Sequence, residues 1–478
     1  MRLLLCCESY FPHGGGVQEV MRQLAERMAA MGHDVTVATS WHPKRKSTVI
    51  NGVNIRSFRA GGKMPYGLNG EIDRYRQFVE TSDADAILIM AAQQWTFDAL
   101  WSVLDRIRAR KVFIPCGFSC LYEPEFEEYF KQIPDALRKF DHLIFNAKHY
   151  RDIDFVRALG LTNFTIIPNG VSENEFEQQP DPLFRKRLGI SEEDFVFLTV
   201  GNPIEAKGHP EVIEAFARLD TGGRPTTLIC IADWSRSSRG SSRGSSRARY
   251  VDAVVRRVVE ITRREGLPGI RRLFRRKWPA FKARLIRLVH PVLGNSLTEG
   301  VDLRVSKASP DDVTRTIDLD SETPEAKAKK ASTQPGKQVL LIDLPRSELI
   351  QAYLAADLFV FASKIEYSPL VLFEAAAAGT PFVTVPVGNG EEIVRWTQGG
   401  ILCDAVQDDR GYTRVDPQVL AAEMSRSMRD PEMLHRLGTR ARERWRKFFT
   451  WRIVTEYYEA ILAGKTPDAG IKQFSLPN

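Results

Sequence analysis

Residues 357–387 constrain the fold more than any other stretch of the chain. They read Asp357-Leu-Phe-Val-Phe-Ala362, then Ser-Lys-Ile-Glu366-Tyr-Ser-Pro-Leu-Val-Leu-Phe-Glu374, four alanines, and Gly379-Thr-Pro-Phe-Val-Thr-Val-Pro-Val387. Leu358 to Ala362 is a short apolar run of the kind that forms a buried strand. Ser368 reads as a helix N-cap, with Pro369 at the first helical position, where a missing N–H costs nothing. Leu370 to Ala378 predicts a helix that Gly379 and Pro381 end, and Phe382 to Val387 predicts the next strand. Such a strand–turn–helix–strand unit belongs to a parallel sheet. It sets Glu366 in the loop beyond a strand's carboxyl end and Glu374 on the helix behind it. In open α/β sheets ligands bind at that edge, and helix N-termini attract anions.

The same grammar runs through the rest of the chain. Residues 2–7 predict a strand, Val20, Leu24, Met28 and Met31 lie at helical spacing, and Val35 to Ala38 predicts a second strand. Between the first strand and the helix stand Gly14, Gly15 and Gly16, where a backbone can approach a phosphate closely. The spacing differs from G-x-G-x-x-G, which argues against a dinucleotide cofactor. Further strands are predicted at Ile87–Met90, Lys111–Pro115, His142–Asn146 and from Thr165 to a turn at Asn169-Gly170, where Asn-Gly would supply positive φ. Charged residues 172–194 read as a connection. Phe195 to Val200 opens a second set of strands, followed by the turn Gly201-Asn202-Pro-Ile-Glu-Ala-Lys207-Gly208. A helix from Glu211 to Leu219, strands at Thr227–Ala232, Gln338–Asp343 and Gly399–Asp404, and helices within 417–465 complete the pattern. The aromatic run from Trp445 to Tyr458 should pack across the domain junction.

Length, charge and cysteine usage set bounds. A chain of 478 residues with 43% hydrophobic residues is large enough for two or three globular domains. The net charge of +7 is uneven, because residues 236–290 alone hold 17 lysines and arginines against three acids. Residues 235–249 are Arg/Ser/Gly-rich and of low complexity, which reads as disorder. Residues 250–290 contain two basic amphipathic stretches. These fit an anionic membrane surface and a hairpin docked on its own domain equally well. RNA binding lacks any fold signature, so no nucleic-acid partner is expected. Residues 295–337 read as a linker. The six cysteines are scattered without a metal-ligand spacing and read as buried thiols. No apolar run reaches the ~18 residues of a membrane span, and the N-terminus reads as a strand, not a leader.

Taken in order, these motifs resemble the retaining family-4 glycosyltransferases of the GT-B fold: Gly-Gly-Val before a helix, Pro-Asn-Gly-Val, Gly-x5-Lys, two glutamates with seven residues between them, and Gly-x-Gly-Glu-Glu. The resemblance implies an α/β architecture of two Rossmann-like doubly wound parallel-sheet domains facing a central cleft, with a basic insert in the second. The implied boundaries are 1–172 for the acceptor-side domain, 190–440 for the donor domain interrupted by 234–337, and 441–465 for a helix packing back. By the same likeness, Glu366 and Lys207 would serve catalysis, Glu366 at the donor sugar and Lys207 at the diphosphate. Glu374 would hold the ribose, and Gly15, Gly16, Asn202, Ser368, Pro369, Leu370, Gly388 and Gly390 would line the donor site.

Two positions depart from the pattern. Cys116 stands where a histidine is expected, and Asn202 replaces an arginine that would grip the diphosphate. Arg346 is a candidate for the missing cation, and His13 and Cys116 are the acceptor-side candidates. The implied activity transfers a sugar from a nucleotide diphosphate to an acceptor hydroxyl, with no metal and no cofactor. The implied partners are a nucleotide sugar and a glycan or lipid-linked glycan of bacterial surface polysaccharide. The implied location is cytoplasmic, peripheral on the membrane if the basic helices bind it. A nucleotide-sugar epimerase and a non-catalytic membrane-associated binding protein remain alternatives.

Overall fold

The computed structural model describes residues 1–234 and 323–465; the basic segment read from the sequence at 235–290 lies outside the described residues. The N-terminal half builds a sheet from β1 (Arg2–Cys6), β2 (Asp34–Ser40), β3 (Val49–Ile50), β4 (Val53–Phe58), β5 (Ala86–Met90), β6 (Arg110–Ile114), β7 (His142–Phe145) and β8 (Phe164–Ile166). Their order is β8-β7-β6-β5-β1-β2-β4-β3. Every neighbouring pair is parallel except β3–β4. That pair is an antiparallel hairpin closed by Asn51-Gly52, both at positive φ, the usual chemistry of a two-residue turn. Neither strand of this hairpin is anticipated above.

Alternate residues feed opposite faces. Leu4 and Cys6 join one core with Ile87, Ile89 and Phe113. Leu3 and Leu5 join the other, together with Met21, Leu24 and Met28 of α1 (Gly16–Ala30). Burial on both faces is why these strands read as continuous apolar runs.

The C-terminal half repeats the plan with β9 (Phe195–Val200), β10 (Thr226–Ile231), β11 (Lys337–Ile342), β12 (Leu358–Phe361), β13 (Phe382–Thr384) and β14 (Gly400–Leu402). All are parallel, in the order β11-β10-β9-β12-β13-β14. Its helices are α2 (His209–Arg218), α3 (Pro324–Ser332), α4 (Arg346–Ala355), α5 (Leu370–Ala378), α6 (Gly390–Thr397), α7 (Pro417–Met428) and α8 (Pro431–Phe448). A last helix, α9 (Trp451–Leu462), returns to the first half.

Several expectations need correction. Residues 324–332 are not linker: Thr323 caps α3, and Ala328 and Ala331 are buried in the second core. A stripe of alanines carries little hydrophobic signal, so the sequence pattern hides it. Strand β13 stops at Thr384, three residues short of the expected end; Pro386 lacks an N–H, and the Val387 N–H turns back to Val385 O at 2.7 Å. Gly170 is not at positive φ; a Cβ there would come within 2.9 Å of the Trp451 ring, so close packing and not turn geometry requires glycine.

The domain boundaries also move. The connection at 172–194 buries Phe176, Phe184 and Ile190 in the second core. At the other end, residue 441 falls inside α8, and the chain crosses between halves at 449–450 instead. There Val171 N donates to Phe449 O at 2.8 Å and Trp451 N donates to Val171 O at 3.1 Å. Beyond that point Trp451, Val454, Tyr458, Ile461 and Leu462 complete the core of the first half, so the C-terminal aromatics are core, as expected.

His209, at the start of α2, is 1% exposed between Gly201 and the Trp234 ring. Burial lowers its pKa to about 4. The unfolded chain therefore takes up this proton first, near the ordinary value of about 6.5. Stability is fully present above that pH and is lost as pH falls toward 4, by about 3 kcal/mol over the full shift. The melting temperature of His209→Gln should show a flatter decline than that of the unmodified protein between pH 6.5 and 4. Parallel declines would rule out this histidine as the source.

Candidate active site

The carboxyl edges of the two sheets meet. From the first half come the glycine turn after β1, the 116–119 loop after β6 and the 146–152 loop after β7. From the second come the 201–208 turn after β9, the 363–370 loop after β12 and the 386–390 turn after β13. A Cβ on Gly16 would lie 3.7 Å from Leu370 Cδ1, and Asn169 Nδ2 donates to Ser368 O at 3.1 Å. The glycine loop thus faces the start of α5.

Lys207 and Glu366 form an ion pair across two loops, with side chains 23% and 16% exposed. The Ser363 hydroxyl donates to the same Glu366 oxygen at 3.1 Å. Backbone contacts fix the pair. Gly208 sits at φ +72°, and a Cβ there would meet Ala362 O at 1.9 Å. Lys364 N and Ser363 Oγ both donate to Ala206 O, at 2.8 and 2.9 Å. Removing either member would leave a partly desolvated charge without its counterion, which costs more than the net worth of an exposed pair.

Glu374 on α5 is 8% exposed and pairs with Arg346 at 2.6 Å. Arg346 Nη2 also pairs with Glu175 at 2.7 Å, and its guanidinium lies over the Phe176 ring. The expected role of Arg346 as the missing phosphate cation therefore does not hold here, because two carboxylates already claim it. Burial and the charge of Glu374 together push the neighbouring Tyr353 hydroxyl well above its usual range.

Positive potential comes instead from helix ends. In the C-terminal half, α2, α4, α5 and α6 each follow a strand at the carboxyl edge, and none has a side-chain cap. Helices α3, α7, α8 and α9 are each capped by Thr or Asp. Uncapped N-termini leave N–H groups and the positive end of the dipole for an anion. Ser368 is one place where the sequence reading fails. The N-cap is Pro369, in an extended conformation, and the Ser368 hydroxyl is buried without a partner. Pro369 keeps its ring-fixed φ but takes an extended ψ of 113°, so it stands as the cap and the helix starts one residue later, at Leu370.

The remaining expected residues divide. Gly15 has φ +155° and opens α1, a conformation glycine adopts freely. Asn202 is exposed at the mouth of its turn. Gly388 is forced by the approach of Tyr367 O, 2.4 Å from where a Cβ would sit. The N–H groups of Asn389 and Gly390 are already bonded to Tyr367 O and Val387 O at 2.9 Å each. This turn therefore serves contact with the first half more than anion binding. Glu392 accepts from the Lys148 and His149 N–H groups at 2.8 and 3.0 Å, and Asn389 Nδ2 donates to Asn146 O at 2.8 Å. His13 packs edge-on against His42 at 4.8 Å, exposed to solvent. Cys116 lies at φ +59°, and burial pushes its thiol up to about 12, which disqualifies it as a base near neutral pH. The sequence assigns no role to Tyr367, Asn389 or Ser363 and gives Glu392 only as part of Gly-x-Gly-Glu-Glu, because each acts through a partner more than 150 residues away or through its own loop.

Comparison with known proteins agrees with this geometry. The model of Glycosyltransferase Family 4 matches residues 14–175 and that of Glycosyl transferases group 1 matches residues 320–444. Glycogen synthase of Mycobacterium tuberculosis is 37% identical over 142 residues, covering 28% of this chain and 32% of that protein. Lipopolysaccharide glucosyltransferase WaaG of Escherichia coli is 26% identical over 242 residues, covering 48% and 62%. The match thus spans about a third of the first relative and less than two thirds of the second. The crystal structure of Anabaena HepE in complex with UDP and glucose shares the fold, with a TM-score of 0.60 at 15% identity over 97% of this chain and all of that one. Residues 14–175 thus belong to Glycosyltransferase Family 4 and residues 320–444 to Glycosyl transferases group 1, and the fold across both halves is that of the GT-B glycosyltransferases.

Proposed function

We propose that the chain moves a sugar from a nucleotide diphosphate to an acceptor hydroxyl with retention of anomeric configuration. The observation that carries this reading is the Lys207–Glu366 pair at the carboxyl edge, with the uncapped starts of α2, α4 and α5 along the same edge. The bond from the anomeric carbon to the diphosphate breaks while the acceptor oxygen bonds on the same face. The acceptor's proton passes to the departing phosphate oxygen, so no side-chain base is needed. That accommodates Cys116, whose thiol cannot serve. Lys207 leaves Glu366 for the diphosphate, whose growing charge it offsets together with the helix ends. Glu366, released, takes the sugar hydroxyls, and Glu374, held by Arg346, takes the ribose. The scheme calls for no metal ion.

Melting temperatures in the presence of UDP-, GDP- and ADP-sugars should rise with one nucleotide class. No rise with any of them would refute a nucleotide-sugar site. With that nucleotide identified, Glu366→Gln should lower kcat by ~10²–10³-fold while leaving affinity for the bare nucleoside diphosphate intact. Glu374→Ala should weaken that affinity itself, and calorimetry showing the reverse assignment would overturn the two roles.

For the acceptor, the relative named as a lipopolysaccharide glucosyltransferase and the basic run at 236–290 support a lipid-linked glycan at an anionic membrane surface. Among the described residues no helix is long and apolar enough to cross a membrane. Flotation with anionic vesicles should retain the full chain and lose a variant lacking 236–294; equal flotation of both would sink this acceptor class.

A further inference from the structure

One half-buried residue of the donor-side loop reaches with its side chain into the other half of the molecule. Tyr367 follows Glu366 directly, yet its hydroxyl accepts from Asn146 N at 2.9 Å and is the hydrogen-bond partner of the Asp152 carboxylate. Its ring lies 5.0 Å from that of Tyr150. Gly117, at φ +89°, makes room for it: a Cβ there would stand 2.9 Å from Tyr150 and 3.0 Å from Tyr367. Asp152 is fully buried, and Gly117 N and Ile153 N donate to it at 2.7 and 2.9 Å. The flanking backbone is strained, since Cys116 and Phe118 also lie at positive φ, a state that persists only where surrounding contacts impose it. On the donor side, Asn389 N holds the Tyr367 carbonyl at 2.9 Å.

We propose that Tyr367 is a positioning residue through which the acceptor-side half sets the placement of Glu366. Its side chain is seated among Gly117, Asn146, Tyr150 and Asp152, and its main chain is shared with the carboxylate next to it. A packing residue would need only the ring. The hydroxyl, however, meets a backbone N–H and a buried carboxylate, both from the first half, so loop placement depends on groups that no donor touches. Coupling of this kind makes Glu366 productive only when the two halves are docked. The inference rests on the glycosyltransfer reading for the role of Glu366, but the anchoring can be tested apart from it.

The test uses the full chain and compares Tyr367→Phe, Asp152→Asn and the double variant. Tyr367→Phe keeps the ring and leaves the fold intact. Turnover of UDP-glucose, GDP-mannose and ADP-glucose is assayed in parallel, along with amide hydrogen exchange. Each single variant should lower kcat about tenfold, the scale of loss for a small misplacement of a reacting group, with KM for the nucleotide sugar little changed. The double variant should lose no more than the worse single. Exchange should rise together in 115–119 and 363–370. Unchanged kcat in Tyr367→Phe, or losses that multiply in the double variant, would overturn the proposal. Should the unmodified protein turn over none of the three sugars, the glycosyltransfer reading is what fails. Exchange then decides the anchoring alone: a joint rise supports it and a rise confined to one loop overturns it.

Discussion

The approach of two backbones at Gly208 and Ala362 is the constraint on which the rest depends. The turn after β9 can lie against the loop after β12 only because residue 208 has no Cβ and can hold φ +72°. Once there, Ala206 O receives two donors from Ser363 and Lys364, and Lys364 reaches back to Glu205 and Glu211 at 2.8 and 2.9 Å. Lys207 and Glu366 are thereby brought opposite one another by the fold itself. Much of the ordering cost of the site is met by folding, so a donor exchanges one set of charge partners for another and does not have to assemble them.

How far the sequence reveals this follows from the range of each interaction. The end of α5 matches the sequence reading, because Gly379 and Pro381 end it locally and four alanines fill it, while its start falls one residue later than expected. Apart from the β3–β4 hairpin, the strands of both sheets are recovered to within a few residues, since burial on both faces writes them as apolar runs. Local rules fail where a distant group decides. Gly170 looks like a turn glycine but answers to Trp451, and Ser368 looks like a cap but an extended Pro369 takes that place. Arg346 reads as a free cation, and only the fold brings Glu175 and Glu374 to it. In each case the sequence gives the residue and withholds the partner.

The junction between halves is built on the same principle from both ends of the chain. Val171 and Thr450 bridge where the chain passes out of the first half and where it returns, and α9 then completes the first core. Neither half is closed without the other: Trp451, Val454 and Tyr458 belong by sequence to the end of the chain and by packing to its beginning. The hinge is therefore a pair of adjacent strands of backbone, at 171 and 450, more than a flexible linker.

This arrangement gives meaning to the polar contacts at the cleft. The side chains of Asn389, which caps α6, and of Glu392 within it bond main-chain groups of the 146–149 loop, and Tyr367 adds a hydroxyl to the same loop. Hydrogen bonds of this kind are individually worth about 0.5–1.5 kcal/mol net, less than an apolar interface of the same extent would supply. An apolar closure would be hard to reopen, whereas a polar one can exchange with water at small net cost. Under the proposed glycosyltransfer a charged donor enters between the halves, and the second kind serves that entry better. The apolar contacts are accordingly kept at the hinge, around Val171, Trp445 and Phe449, and the polar ones at the mouth.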